Sequence, residues 1–181
     1  MARTLSTMVE LGSSAADFDL LDTTTGNFLT RDSLLKSKGL LVIFMCNHCP
    51  FVKHILPGLR TLGQDYSNGD IGLVAISSND VANYPDDAPE KMPELNLGFA
   101  YLYDETQQVA KAYDAVCTPD FFLFDGNLKL VYRGQFDEAR PGNDVPVTGK
   151  DLRTAMDCLV RGQEIPTTQT PSLGCNIKWK E

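Results

Sequence analysis

A chain of 181 residues falls within the roughly 100–200 residues of one domain, and 43% hydrophobic residues supply enough apolar surface for a core, which excludes disorder over the whole length. Sixteen Lys and Arg against 24 Asp and Glu leave a net charge of −8, the wrong sign for neutralising phosphates, so a general nucleic-acid binder is excluded. The longest apolar run, residues 39–45, is far short of the ~18 residues of a membrane span. The first twelve residues hold Arg3 and Glu10 but no apolar block of ~7–15 residues, so no secretory signal is read, and a soluble, cytoplasmic protein is expected.

Strand and helix signals alternate from residue 40 onward. Continuous apolar runs at 40–45 and 71–76 predict two strands buried on both faces, paired in parallel. Between them Val52, Ile55, Leu56, Leu59 and Leu62 recur at helical spacing on a helix that starts near Pro50 and is kinked at Pro57. Together these make a βαβ unit. Residues 79–94 carry Pro85, Pro89 and Pro93 among acidic residues and read as an exposed connection with one helical turn at most. A short strand is expected at 99–103 and a short helix at 107–113. The runs 121–124 and 128–133 flank Asp125-Gly126-Asn127, the turn chemistry of an antiparallel hairpin. A last helix is expected at 149–161, its stripe formed by Leu152, Ala155, Met156, Leu159 and Val160. The segment 165–181 has little periodicity. No repeat or linker divides the chain, so one α/β domain over 1–181 is expected, with a mixed central sheet and helices on both faces.

Five cysteines, Cys46, Cys49, Cys117, Cys158 and Cys175, are an odd count in a large chain, which argues for reactive or metal-binding thiols rather than a disulfide framework. Cys49 falls where the first buried strand runs into the helix. Unsatisfied N–H groups and the helix dipole favour an anion there, so this thiol should ionise readily, and Lys53 at i+4 adds a positive charge on the same face. A thiolate is the nucleophile that thiol exchange requires. Two other readings of the same residues stand beside this one: Cys49 as a small core residue, and Cys46, Cys49 and His48 as part of a metal site. Zinc needs four ligands in a structural site, and no second Cys-x-x-Cys completes one.

The run Leu41-Val42-Ile43-Phe44-Met45-Cys46-Asn47-His48-Cys49-Pro50-Phe51-Val52-Lys53, with Pro57, resembles the thioredoxin pattern of a strand, Phe-Trp-Ala-x-Trp-Cys-Gly-Pro-Cys-Lys and a helix-kinking proline. Thr118-Pro119-Asp120 followed by Phe121-Phe122-Leu123-Phe124 resembles that superfamily's cis-proline loop and next strand. Gly12, Ala15, Asp17, Phe18, Leu20 and Asp22 are spaced as in the opening of its alkyl hydroperoxide reductase and thiol-specific antioxidant (AhpC/TSA-like) branch. The match covers residues 10–162, which implies a thioredoxin-like fold with an N-terminal extension and a C-terminal tail at 163–181.

By that resemblance Cys49 is the nucleophile, Pro119 is cis, and Thr118 and Pro119 present backbone to an extended substrate segment. The resolving position falls on Val52 and the buried acid on Ile43, which departs from an ordinary thioredoxin. In the peroxiredoxin pattern the proline and threonine positions fall on Val42 and Cys46, so the peroxide-orienting hydroxyl is missing, and the guanidinium would come from Arg133 or Arg140. Cys46 ranks first as the resolving thiol, provided the chain turns between it and Cys49; Cys117 ranks second and Cys175 third. His48 would lower a thiolate's pKa or take a proton, whereas His54 points to another face of the helix and Cys158 reads as structural. The expected activity is thiol-disulfide exchange on a protein or small-molecule disulfide or thiol, with Cys49 attacking and Cys46 resolving. Alternatives are a thiol peroxidase with Cys49 as the peroxidatic sulfur, the metal-binding module, and a noncatalytic adaptor that uses the acidic 79–94 surface. No cofactor is expected.

Overall fold

The computed structural model describes residues 3–181; residues 1 and 2 of the expected 1–181 span lie outside the described residues. The chain opens with β1 (Arg3–Leu5), β2 (Asp19–Asp22) and β3 (Phe28–Thr30), then one helical turn, α1 (Arg31–Leu34). Thr30 and Ser33 cap that turn reciprocally, each side chain accepting from the other's backbone N–H. Strand β4 (Gly39–Phe44) is buried at every position, and α2 (Pro50–Tyr66) follows with Cys49 as its N-cap and Pro50 in its first turn. Its Val52, Ile55, Leu59 and Leu62 face the core. Strand β5 (Ile71–Ser77) returns parallel to β4. Two 3₁₀ turns, Pro85–Asp87 and Pro89–Leu95, lead to β6 (Ala100–Tyr103) and α3 (Gln108–Ala112). The two-residue β7 (Cys117–Thr118) precedes the cis Thr118–Pro119 bond. Strands β8 (Asp120–Asp125) and β9 (Leu130–Gly134) form the expected hairpin. Then come α4 (Lys150–Arg161) and β10 (Leu173–Asn176).

Seven strands form the main sheet in the order β3-β2-β6-β5-β4-β8-β9, with β4, β5 and β6 parallel and the others antiparallel to their neighbours. Alternation along β4 divides the core. Leu41 and Ile43 pack with Leu59 and Leu62 of α2 and with Leu152 and Met156 of α4, while Leu40, Val42 and Phe44 pack with Val109, Ala110 and Tyr113 at α3. Helices therefore cover both faces, as the apolar runs imply. No helix among the described residues is long and apolar enough to cross a membrane.

Two expectations hold only in part. Segment 79–94 is exposed at 82–86, 90, 91 and 94, but Asn79, Asp80, Asp87 and Met92 are buried. The acid Asp87 points inward because three N–H donors and the His48 ring await it there. The tail is not irregular throughout. Leu173–Asn176 pairs antiparallel with both β1 and β7, giving a second sheet in the order β1-β10-β7. Both outer parts of this sheet's cover, 3–5 and 173–176, lie outside the expected 10–162 core. Nothing local to the tail announces this, because its partners are strands more than 50 residues away.

Candidate active site

The loop from Met45 to Cys49 joins the end of β4 to the N-terminus of α2 and is held by one buried carboxylate. Asp87 Oδ1 accepts from the Asn47 and His48 backbone N–H groups at 2.7 and 3.0 Å. Its Oδ2 accepts from Asn79 Nδ2 at 2.8 Å and meets His48 Nδ1 at 2.5 Å. Burial opposes ionisation of Asp87, but the hydrogen bonds from His48 and Asn79 outweigh it and hold the carboxyl below its ordinary value. Tyr101 donates to Asn47 Oδ1 at 3.2 Å, and the His48 ring stacks on Tyr84 with centroids 5.2 Å apart.

Cys49 is fully buried. Its pKa is lowered to about 5, chiefly because the Cys46 thiol donates to it; burial acts against this, and the Cys175 thiol, the Val52 backbone N–H and the Thr118 side chain act with it. Val52 is the third residue of α2, so its N–H is one of the unsatisfied donors of the first turn. As a thiol, Cys49 instead donates to the Thr118 carbonyl at 3.2 Å. Ionisation exchanges that partner for the converging donors.

Three thiols thus meet beside the cis-proline. Cys46 Sγ lies 3.4 Å from Thr118 Oγ1 and 3.9 Å from His48 Nδ1. Its hydrogen bond to Cys49, its burial and the Asp87 charge all raise its pKa. Cys175 Sγ lies 3.0 Å from Cys49 Sγ, and Cys175 stands opposite Thr118 in the β10–β7 pairing. Burial, followed by the Cys49 contact, raises its pKa to about 12. Cys49 therefore ionises before its two neighbours.

Lys53 is exposed on α2, and its ammonium is not among the partners of Cys49. The neutralising role expected of it falls to hydrogen-bond donors. His48 sits against Cys46 and Asp87 rather than against Cys49. Thr118 and Pro119 lie beside the sulfur, with the bond between them cis as the resemblance implies. Cys117 turns away: its Sγ lies 3.8 Å from the Pro119 carbonyl, and burial followed by the Asp120 charge raises its pKa. Arg133 is bound to the Val9 carbonyl and Gln169, and Arg140 to the Asp137 and Ala139 carbonyls and Gln135. Neither guanidinium is a partner of Cys49. The cluster with metal-ligand character is Cys46, His48 and Asp87, not Cys46, Cys49 and His48. Its carboxylate already accepts from three N–H donors and contacts the imidazole directly, which fits a hydrogen-bonded relay better than a ligand set.

Sequence reasoning missed Asp87, Asn79, Tyr84 and Asp120. Asp120 follows the cis-proline, is fully buried, and has no hydrogen-bond partner on either carboxylate oxygen among the described residues. Burial drives its pKa well above the ordinary carboxylate range. Only its place beside Pro119, next to Cys117, offers a signal.

The sequence model of the AhpC/TSA family matches residues 11–133, a span that contains the Cys49 loop and the cis-proline. The chain belongs to the AhpC/TSA family. Among solved structures, this AhpC/TSA chain is similar to an uncharacterized conserved protein from Geobacillus kaustophilus, with 49% identity, a TM-score of 0.97, and coverage of 99% of this chain and 97% of that one. A hypothetical protein from Sinorhizobium meliloti shares 48% identity with a TM-score of 0.94, covering 98% of each chain. The thioredoxin domain of a thiol-disulfide oxidoreductase from Bacteroides vulgatus, at 20% identity, has a TM-score of 0.60 over 81% of this chain and 99% of that one. This last likeness is one of fold. Among curated proteins nothing matches the chain. The fold is thioredoxin-like, and the family is one of thiol-based oxidoreductases.

Proposed function

We propose that this AhpC/TSA chain is a thiol-disulfide oxidoreductase in which Cys49 is the attacking sulfur. The observation that carries this is the Cys49 sulfur at the N-terminus of α2, its pKa lowered to about 5, beside the cis-proline and in contact with two further thiols. A thiolate at neutral pH attacks a disulfide sulfur, and a neighbouring thiol then breaks the mixed disulfide. Cys46 holds the thiolate through its hydrogen bond. His48 and Asp87 act behind it as positioning residues, because Asp87 fixes the backbone that carries Cys46 and Cys49. Arg133 and Arg140, the two candidate guanidinium groups, are bound elsewhere, which favours a disulfide over peroxide as the substrate.

The test is a disulfide-reduction assay driven by a dithiol. Cys49→Ser is expected to lose activity to background, and full activity in that variant overturns the reading. Peroxide consumption by the same protein, at a rate well above disulfide turnover and with a sulfenic acid trapped on Cys49, assigns the chain to the peroxidase alternative instead.

A further inference from the structure

A nucleophile with no exposed surface cannot meet a substrate as it stands. What covers Cys49 is specific. Strand β10 lies antiparallel to β7, with Cys175 opposite Thr118 and Asn176 opposite Cys117. This is the edge where, by the resemblance, an extended substrate segment pairs with the cis-proline loop. The fit is tight: a Cβ on Gly174 would fall 2.0 Å from the Thr118 carbonyl oxygen, so only glycine lets the strand approach. The chain's own tail fills the groove and delivers a sulfur to within 3.0 Å of Cys49 Sγ. We propose that Cys175 is the thiol that resolves the mixed disulfide on Cys49, and that β10 is the cover that carries it. This inference rests on Cys49 being the nucleophile.

Two thiols contact Cys49, and the backbone separates their roles. Met45 N–H donates to Ile76 O, and the Asn47 and His48 N–H groups donate to Asp87, so the segment carrying Cys46 is tied to β5 and to a buried charge. Cys46 also shares its sulfur with Thr118 Oγ1 and the His48 ring. It is placed to keep its proton and hydrogen-bond the resting thiolate. Cys175 sits on a strand of the separate three-stranded sheet, whose neighbours are only two and three residues long. That sheet opens without breaking a hydrogen bond of the seven-stranded one. Farther on, the tail is anchored: Lys178 N–H donates to Asn79 Oδ1, and its carbonyl accepts from Asp80 N–H and Gln107 Nε2. The cover therefore lifts as a tethered loop and returns to the same register.

The reaction balances as two exchanges. With β10 lifted, the Cys49 thiolate attacks a substrate disulfide; a Cys49–substrate bond forms, the substrate S–S bond breaks, and one thiolate leaves. As β10 closes, Cys175 attacks Cys49 Sγ, a Cys49–Cys175 bond forms, and the second substrate thiolate leaves with the proton that Cys175 gives up. The substrate disulfide gains two electrons and the enzyme dithiol loses two. An external dithiol restores the reduced pair.

The test uses the full chain with Cys158→Ser, which removes the one cysteine that is not buried. An aromatic disulfide that releases a coloured thiol is added at one equivalent. The parent is expected to release two thiols per chain, and peptide mapping should then find Cys49 joined to Cys175. The Cys175→Ser derivative is expected to release one and to keep the adduct on Cys49. Two thiols from Cys175→Ser at the parent's rate, or a Cys46–Cys49 link in the parent, overturns the assignment while leaving Cys49 as nucleophile. No release from the parent overturns the nucleophile itself, and this inference with it. Mapping the parent needs no cysteine of the site to be replaced, so the result stands even if a variant fails to fold.

Discussion

At Cys49 the balance is between burial, which disfavours an anion, and converging donors, which favour one. The largest donor contribution comes from Cys46. Cys46→Ala is therefore expected to move the midpoint of Cys49 alkylation upward from about 5 toward the ordinary 9.0 of a thiol, which an iodoacetamide rate profile between pH 4 and pH 9 measures. An unchanged midpoint would assign the depression to the remaining donors, the Cys175 thiol, the Val52 N–H and the Thr118 side chain. The sign for stability follows from the direction: a thiol whose pKa is depressed by folding stabilises the fold above the unfolded value, and that contribution is lost as pH falls through about 5. Asp87 behaves alike as a depressed carboxyl, stabilising above ~4 and losing that contribution as acid protonates it. Asp87→Ala leaves two backbone N–H groups, Asn79 Nδ2 and His48 Nδ1 without their acceptor. A loss of about 3–5 kcal/mol is expected in denaturant unfolding at pH 7, with Asp87→Asn losing less. Equal stabilities for Asp87→Ala and the parent would remove Asp87 from its place as the anchor of the loop.

Strands β1, β7 and β10 behave as one element apart from the main sheet. Their short pairings and the exposed Leu5 at the edge contrast with β4, which is flanked on both sides and wholly buried. Hydrogen exchange is expected to be fastest in 3–5 and 173–176 and slowest in β4, β5 and β8. Gly174→Ala places a methyl against the Thr118 carbonyl and should push β10 off β7 while leaving α2 and the main sheet intact. Labelling of Cys49 by a bulky maleimide is expected to rise at least ~10-fold, equivalent to about 1.4 kcal/mol less local opening free energy. Labelling no faster than in the parent would show that β10 is not the barrier to Cys49.

Across the whole molecule, stability should carry the mark of Asp120. Its carboxyl is fully buried and its pKa lies well above the ordinary carboxylate range. A group raised in this way favours the fold fully below the unfolded pKa of ~3.9, and that advantage fades as pH rises toward the folded value, by up to ~1.4 kcal/mol per pH unit. Asp120→Asn cannot ionise. Between pH 5 and pH 8 it is expected to lose less stability than the parent in urea unfolding, and parallel curves would show that Asp120 carries no proton that the unfolded chain lacks.

The elements that sequence alone determined are those whose information is local. The apolar run at β4, the stripe Val52, Ile55, Leu59 and Leu62, the hairpin at Asp125-Gly126-Asn127, and Cys49 at a helix start follow from periodicity and turn chemistry within ~20 residues. Tertiary structure decided what distant segments do for one another. Asp87 is one of two adjacent aspartates in an acidic stretch, and only the fold turns it, and not the exposed Asp86, toward the Cys49 loop. Cys175 lies 126 residues from Cys49, in a tail without periodicity, because strand pairing is satisfied by backbone groups that every residue carries. Even Cys46, whose spacing was visible, acquires its role as a donor only once Thr118, His48 and Cys49 surround its sulfur.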